Sequence, residues 1–397
     1  MIAAILAVVL PGLAEEPRPD TRMTWVAIPN VGYDVDDGLG LGARAEIDWY
    51  KPGYDPYQLA FVVQAFATTN GYHHHRVRFD APGLGADHTL RLTGHFAYRQ
   101  WLNDGYWGLG NDTTVTRAAY DATEGDLAKR YRYTLVQPFG RLTLRGELGG
   151  PWAWFAFLAG RWSAVETYDG SLLREDAPIG MEGGWGIQPG LGMLFDTREP
   201  ELTPDAGVLV ELSVRGMPPL PGAEARWVAA FASARAYWTL GPKVVLASRV
   251  MGEAMWGDVP FYDLNTWGGL TPTMGIGGSD SARGISFGRW RDANKVAVNN
   301  ELRIDLFRHV AFSREIRWQL VPFVDAVTVF GTGESGPEPL GAWPVHPGAG
   351  LGIHPIVEAT FVGRLDVAVG LDQVEEADGG RTTVPNLGVY VVFDHML

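Results

Sequence analysis

The sequence predicts an all-β protein, a 16-stranded antiparallel transmembrane β-barrel. Three observations predict it. Apolar and polar residues alternate with period 2 along most of the chain, while helical spacing is hard to find after residue 20. The alternating segments run to ten residues or so, close to the roughly 9–11 residues a strand tilted about 45° needs to cross a bilayer. The connections between them alternate between short and long, as on the two sides of an outer-membrane barrel.

Composition bounds the alternatives. The chain has 397 residues with 51 glycines, 15 tryptophans, 14 tyrosines and no cysteine. Net charge is −14, and no basic stripe interleaved with aromatics is present, so nucleic acid is not an expected partner. No run of about 20 apolar residues reads as a spanning helix. A soluble acidic enzyme is the plainest reading of the charge alone. The glycine and aromatic load, set on a period-2 pattern, argues against it.

Met1 to Ala14, "MIAAILAVVLPGLA", is an apolar run that ends in Gly12-Leu13-Ala14 ahead of Glu15-Glu16. Small-x-small before a polar segment is the shape of a signal-peptidase site, although the first residues lack Lys or Arg. The expected organisation is a signal peptide over 1–14, a short periplasmic segment over 15–23 and the barrel over 24–397. Without cysteine, a lipoprotein anchor or a disulfide scaffold is excluded.

In chain order the pattern predicts strands over 24–33, 39–50, 57–69, 72–82, 88–101, 130–149, 152–166 and 183–197. The second half continues with 207–217, 225–240, 243–257, 294–307, 316–330, 346–356, 360–371 and 386–397. Even-numbered connections are short, as at 83–87, 150–151 and 241–242, and the odd-numbered ones include 102–129, 167–182, 258–293, 331–345 and 372–385. A soluble sandwich has no reason to keep that alternation. Tyr98, Trp101, Trp152, Trp154, Trp238, Trp256, Trp267 and Trp318 collect near strand ends, as aromatic girdles do. Closure would also remove the exposed edges that so long a β chain would otherwise carry.

The stretch "GGSDSARGISFGRWRDANKVAVNNELRIDLF", Gly277 to Phe307, places a lone arginine beside glycine in the long loop between strands 11 and 12. Here the chain resembles the Omp85 superfamily, whose sixteen-stranded barrels carry an Arg-Gly motif in a long sixth extracellular loop. Ala282-Arg283-Gly284-Ile285 stands where that motif belongs, with Ala and Ile departing from its outer positions. The resemblance implies that the loop folds into the lumen and that Arg283 meets acidic residues on strands 12 and 13. Glu301 in "NNELRID" and Asp325 in "PFVDAV" are the candidates; Phe323 and Asp325 match the family's Phe-x-Asp-x-Gly pattern, but Val327 replaces its glycine. The pairing makes physical sense, because an acid inside a barrel is costly unless paired and a planar guanidinium can serve two carboxylates. Gly284 would let the loop pass close to the wall.

The resemblance extends along most of the chain. "FDTREPELTPDAG", Phe195 to Gly207, looks like the family's turn between strands 8 and 9, and "VGRLDVAVG", Val362 to Gly370, like its penultimate strand. "NLGVYVVF", with Asn386, Gly388, Val391 and Phe393, fits the family's C-terminal β-signal, followed by four further residues, Asp394 to Leu397. In the family the seam between first and last strands is weakly bonded. Pro29 and Gly32 in the first strand suit a poorly paired edge, since proline lacks the ladder N–H. Omp85 proteins normally carry periplasmic POTRA domains; only about ten residues precede the first strand after the expected cleavage site, so a member without them is expected.

Other motifs carry less. Gly284-Ile285-Ser286-Phe287-Gly288 matches G-x-S-x-G, yet nothing after it is helical, so no nucleophile elbow and no catalytic residue is expected. His73, His74 and His75 cannot all face one metal from a strand, and no metal or other cofactor is expected. Asp34 to Gly38 has the wrong spacing for a calcium loop, and Asp37-Gly38 suits a tight hairpin turn. The resemblance implies an outer-membrane barrel that assists insertion or translocation of proteins, or of lipids, through a lateral seam and a lumenal loop. Its partners would be outer-membrane lipids, an unfolded barrel or secreted protein as substrate, and a separate periplasmic protein. The alternative is a passive pore or structural barrel without assembly activity.

Overall fold

A computed structural model describes residues 21–34, 38–54, 57–85, 87–122, 125–200, 203–223, 225–311, 314–331, 344–357 and 361–393. The expected signal peptide, most of the segment that follows it, Asp37 of the expected first turn and the tail Asp394 to Leu397 lie outside the described residues.

Sixteen long strands make one antiparallel meander. The first half is β1 (Arg22–Asp34), β2 (Gly38–Tyr50), β3 (Leu59–Thr68), β4 (His73–Leu84), β5 (Leu90–Gly105), β6 (Arg132–Gly149), β7 (Trp152–Thr167) and β8 (Gly184–Asp196). The second half is β9 (Gly207–Met217), β10 (Arg226–Gly241), β11 (Val244–Asp258), β12 (Asn294–Ala311), β13 (Arg314–Phe330), β14 (His346–Val357), β15 (Phe361–Glu375) and β16 (Arg381–Phe393). Each strand pairs with the next in sequence. Among the described residues no ladder joins β1 to β16, although the two come within 8 Å at Cα.

The alternation has the polarity of a membrane barrel. In β9, Leu212 and Val214 stand 59% and 45% exposed while Ser213 and Arg215 are buried. Leucines outside and arginines inside are the reverse of a soluble protein, and they fit a wall with lipid on its outer face and a polar lumen. No helix among the described residues is long and apolar enough to cross a membrane.

The expected strands are all present, with differences at their ends. β16 begins at Arg381, five residues before the expected start, and β15 continues to Glu375. The expected long loop over 372–385 is therefore a tight hairpin, closed by Gly379 N–H to Glu376 C=O at 2.9 Å and Glu376 N–H to Gly380 C=O at 2.8 Å. Polar residues hide such an extension, because a ladder outside the bilayer needs hydrogen bonds but no apolar face. The loop after β5 holds what the alternation could not announce: a two-residue strand, Val115–Thr116, and the short helices α1 (Arg117–Tyr120) and α2 (Gly125–Ala128). The short strand pairs in parallel with Val374 and Glu375 of β15, so this loop reaches across to a distant strand. The loop after β7 carries α3 (Leu172–Asp176).

The expected aromatic girdle divides in two. Tyr98, Trp152, Trp238 and Trp256 are exposed on the outer face. Trp101 and Trp267 are buried inside instead, where Trp101 stacks on Tyr72 and the Trp267 indole N–H donates to Gly275 C=O at 3.1 Å. A tryptophan near a strand end serves either face, and only neighbours decide which.

Candidate functional site

The connection from β11 to β12, residues 259–293, is enclosed by the strands. Its Trp267, Trp290, Arg283, Arg289 and Arg291 are among the largest fully buried side chains in the molecule. Part of the enclosure is hydrophobic: Trp267, Ile276, Ala282, Ile285 and Trp290 pack with Phe231, Met251, Ala297, Val327 and Val329 of β10 to β13. Removing that apolar surface from water favours the loop's position inside the wall.

Arg283 sits at the tip. Its Nε donates to Asp325 Oδ2 at 2.8 Å and Nη2 to Asp325 Oδ1 at 3.1 Å, a two-pronged contact with β13. Nη1 reaches Glu301 Oε1 of β12 at 2.9 Å and Asp366 Oδ2 of β15 at 3.3 Å. The backbone N–H of Arg283 also donates to Asp325 Oδ2 at 3.0 Å. The guanidinium lies flat on the Phe323 ring, 3.4 Å from its centroid. Burial alone would lower the arginine pKa; Glu301 and Asp325 beside it hold it above its ordinary value, so the group stays charged. A lysine could not reproduce this, since only a planar fork meets one carboxylate with two parallel bonds and lies flat on a ring.

The carboxylates are held in turn. Arg303 Nε donates to Glu301 Oε2 at 3.1 Å, and the ring of His354 on β14 meets Asp366 Oδ1 at 2.8 Å. Gly284 has φ +87°, which favours glycine, and a Cβ there would come within 2.6 Å of the backbone of Val369 and Gly370. Its N–H donates to Tyr390 Oη at 3.0 Å. Asn386 Nδ2 donates to Gly284 C=O and to Ser286 Oγ, both at 3.1 Å. The loop tip thus touches β12, β13, β15 and β16.

Sequence reasoning named Arg283, Gly284, Glu301 and Asp325, and these stand together. It did not name Asp366, His354 or Tyr390. Asp366 alternates with Arg364 in "GRLDV", a polar pair at period 2 that could have signalled an inward face. Tyr390 stands among apolar residues in "GVYVVF", with nothing local to mark it.

Further contacts hold the loop elsewhere. Arg161 of β7 makes a two-pronged pair with Asp263, with Nη2 to Oδ2 at 2.6 Å. Lys295 Nζ meets Glu253 Oε2 and Leu264 C=O, both at 3.1 Å, and Arg215 binds the same Glu253 through Nε at 3.0 Å. Arg289 Nε meets the Asp372 carboxylate at 2.9 and 3.0 Å, and its Nη atoms reach Thr113 of the β5–β6 loop.

A profile of the Omp85 superfamily domain matches residues 40–378. The chain belongs to the Omp85 superfamily. Among solved structures it is similar to BamA from Haemophilus ducreyi lacking POTRA domains 1–3, at 16% identity and a TM-score of 0.58, over 95% of this chain and 70% of that one. It is similar to CdiB from Escherichia coli at 15% identity and 0.58, over 97% and 67% of the two chains. CdiB from Acinetobacter baumannii gives 13% and 0.51, over 93% and 59%. At these identities the likeness shows the fold. A search of curated proteins finds no sequence match.

As an Omp85 barrel the protein resides in the outer membrane of a Gram-negative cell. Its remaining expected site residues are distributed over the two end strands. Pro29 and Gly32 lie on β1 opposite Ala43 and Gly40 of β2. Asn386, Gly388, Val391 and Phe393 lie on β16 opposite Gly370, Ala368, Leu365 and Gly363 of β15. Of these, Asn386 hydrogen-bonds to the Arg283 loop through its side chain. Ser286 of the G-x-S-x-G stretch is followed by a turn, Arg289 N–H to Ser286 C=O at 3.1 Å, and not by the helix a nucleophile elbow requires. His73 and His75 lie together, ring centroids 5.7 Å apart, while His74 lines the lumen; among the described residues no cluster suits a metal ion.

Proposed function

We propose that this Omp85 barrel assists the insertion or translocation of proteins at the outer membrane, without covalent chemistry, and that the loop tip at Arg283 acts as the latch setting the state of the β1–β16 seam. The observation that carries the reading is the position of Gly284, bonded to Tyr390 and Asn386 of the last strand while Arg283 is fixed to β12, β13 and β15. One loop thereby couples the wall to a strand that, among the described residues, no ladder joins to β1. A substrate strand would pair at that free edge, drawing on the unpaired backbone groups that any exposed edge presents. The partners on this reading are an unfolded barrel or secreted polypeptide, the surrounding lipids and a periplasmic protein that delivers the substrate.

The rival reading is a passive pore, favoured by the cavity that remains beside the loop. Reconstitution separates the two. Liposomes carrying the purified chain or its Arg283→Ala variant are mixed with an unrelated barrel added as unfolded polypeptide, and its folding is timed. Faster folding with the wild type, diminished in the variant, supports assembly. Equal rates with both and with empty liposomes remove the assembly reading in favour of the pore.

A further inference from the structure

We propose that the lumenal cavity beside the loop is a binding site for a phosphate-bearing anion. This stands apart from the assembly reading and needs no substrate protein.

The cavity measures about 880 Å³. Twelve arginines and two histidines line it, with no lysine, against four carboxylates, Asp196, Glu211, Asp263 and Asp280. The chain as a whole carries −14. A protein this acidic has concentrated positive charge on one internal surface, where the field is focused by low-dielectric walls.

Several of these arginines are already paired, as Arg161 is to Asp263, Arg198 to Asp196 and Arg215 to Glu253. Arg78, Arg99, Arg141, Arg145 and Arg235 form no ion pair among the described residues. Three of them lie on neighbouring strands of one wall. Arg78 of β4 stands opposite His95 of β5, which stands opposite Arg141 of β6. Arg99, on the same face two pleat repeats further along β5, is opposite Gln137.

Their partners are neutral. Arg99 Nη2 donates to Gln137 Oε1 at 2.6 Å; Arg141 donates to Thr143 Oγ1 at 3.1 Å and to Gly269 C=O at 2.8 Å. Their guanidinium carbons rest over Phe139 and Phe157, at 4.6 and 3.5 Å from the ring centroids, which holds both cations against the wall without neutralising them. Arg99 Nε, Arg235 Nε and His95 Nε2 are buried with no hydrogen-bond partner. Unmatched buried donors and mutually repelling cations both raise the free energy of this wall, and a multidentate oxyanion relieves both at once. Guanidinium forks select phosphate geometry in particular.

The source of the phosphate can be a lipid headgroup or a soluble phosphate ester. Pro29, Asn30 and Gly32 of β1 and Tyr390, Val391 and Val392 of β16 also line the cavity, so it extends to the two strands that no ladder joins among the described residues. A headgroup could reach it there with its chains left in the bilayer.

The test uses the full chain folded in a non-ionic detergent and titrated with inorganic pyrophosphate by calorimetry, against sodium chloride at matched ionic strength. The expected result is saturable binding of pyrophosphate over chloride, weakened about tenfold or more in the triple variant Arg78→Gln, Arg99→Gln, Arg141→Gln. Arg174→Gln, an exposed arginine on α3, should bind as the wild type does. A second arm compares wild-type thermal stability in nanodiscs of phosphatidylglycerol and of phosphatidylcholine. Stabilisation by phosphatidylglycerol that the triple variant loses, without pyrophosphate binding, identifies the lipid headgroup. Should the triple variant not fold, phenylglyoxal labelling of the wild type replaces it, with Arg99 and Arg141 expected to be protected by pyrophosphate or by phosphatidylglycerol. No binding, stabilisation or protection by either, or an equal response in the triple variant, overturns the proposal.

Discussion

Asn386, on the last strand, donates its side-chain amide to the backbone carbonyl of Gly284, at the tip of the loop that enters from between β11 and β12. The two residues are 102 positions apart in sequence. The contact ties the C-terminal strand to the loop without passing through the ladder of the wall. Asn386→Ala removes this bond and the one to Ser286 Oγ. Each such bond contributes on the order of 1 kcal/mol net, so a loss of about 1–2 kcal/mol is expected. Ser286→Ala removes one acceptor only and should cost about half as much. Urea unfolding of both variants from lipid vesicles checks the ranking; equal midpoints for wild type and Asn386→Ala would refute the contact.

Arg283 is the sole described cation touching Glu301, Asp325 and Asp366 together. Arg283→Ala strands carboxylates in a closed site, and breaking a buried pair from one side typically costs about 3–5 kcal/mol. Arg283→Lys restores charge but not the two-pronged bond to Asp325 or the stacking on Phe323, so it should recover less than half of the loss. Thermal unfolding of the folded barrel measures both variants. Full recovery by lysine would show that charge alone matters at this position.

How legible was this in the sequence? The strands were, because a lipid-facing wall demands alternation, and β9 follows it from Val210 to Arg215. Arg283, Glu301 and Asp325 were legible through a motif and its neighbours on polar faces. Asp366 and Tyr390 were not, since nothing local distinguishes a wall residue that touches a distant loop from one that does not. The reach of the β5–β6 loop to Val374 and Glu375 was equally hidden. Pairing two residues against a remote strand leaves no periodic trace.

Gly348 on β14 allows a test that leaves the loop sequence intact. A Cβ at this position would overlap the carbonyl oxygen of Arg283. Gly348→Ala must therefore displace either the wall or the loop tip, with a destabilisation in the usual range of about 1–3 kcal/mol for overpacking. Proteolysis of the folded protein should become faster within 277–288 and remain unchanged in the β7–β8 loop. Unchanged cleavage throughout would show that the wall, not the loop, yields.

The β5–β6 loop is fastened to the β15–β16 hairpin by Arg117, whose Nη2 meets Glu376 Oε1 at 2.7 Å. The hydrogen bond from Arg117 holds the Glu376 carboxyl below its ordinary value of 4.5. A depressed acid contributes stability that is fully present above its unfolded pKa and is lost as pH falls through the lower, folded value. Cleavage of the 106–131 loop should thus be constant above about pH 5 and rise as the pH falls below 4.5. Glu376→Gln should show the raised rate at every pH. A wild-type rate that stays flat through the acid range would rule out this fastening.

Among the described residues the lumenal loop has five ionic contacts with the strands: Asp263 on Arg161, Asp280 on Arg364, Arg283 on its carboxylates, Arg289 on Asp372 and, more loosely at 3.9 Å, Arg291 on Asp104. They engage β5, β7, β12, β13 and β15. Releasing Arg283 alone leaves the others, and with them the apolar packing of Trp267 and Trp290. Single-channel conductance of Arg283→Ala in planar bilayers should therefore rise only modestly, in brief openings. Arg161→Ala and Arg289→Ala should each do no more. The triple variant should open for long periods, because the pairs that remain are the half-exposed Asp280 on Arg364 and the 3.9 Å contact of Arg291 with Asp104. Distant anchors ordinarily contribute additively to stability, so a conductance that appears only when these three are removed together reports a loop held redundantly. Full opening in Arg283→Ala by itself would instead make the tip the one contact that decides whether the loop stays inside.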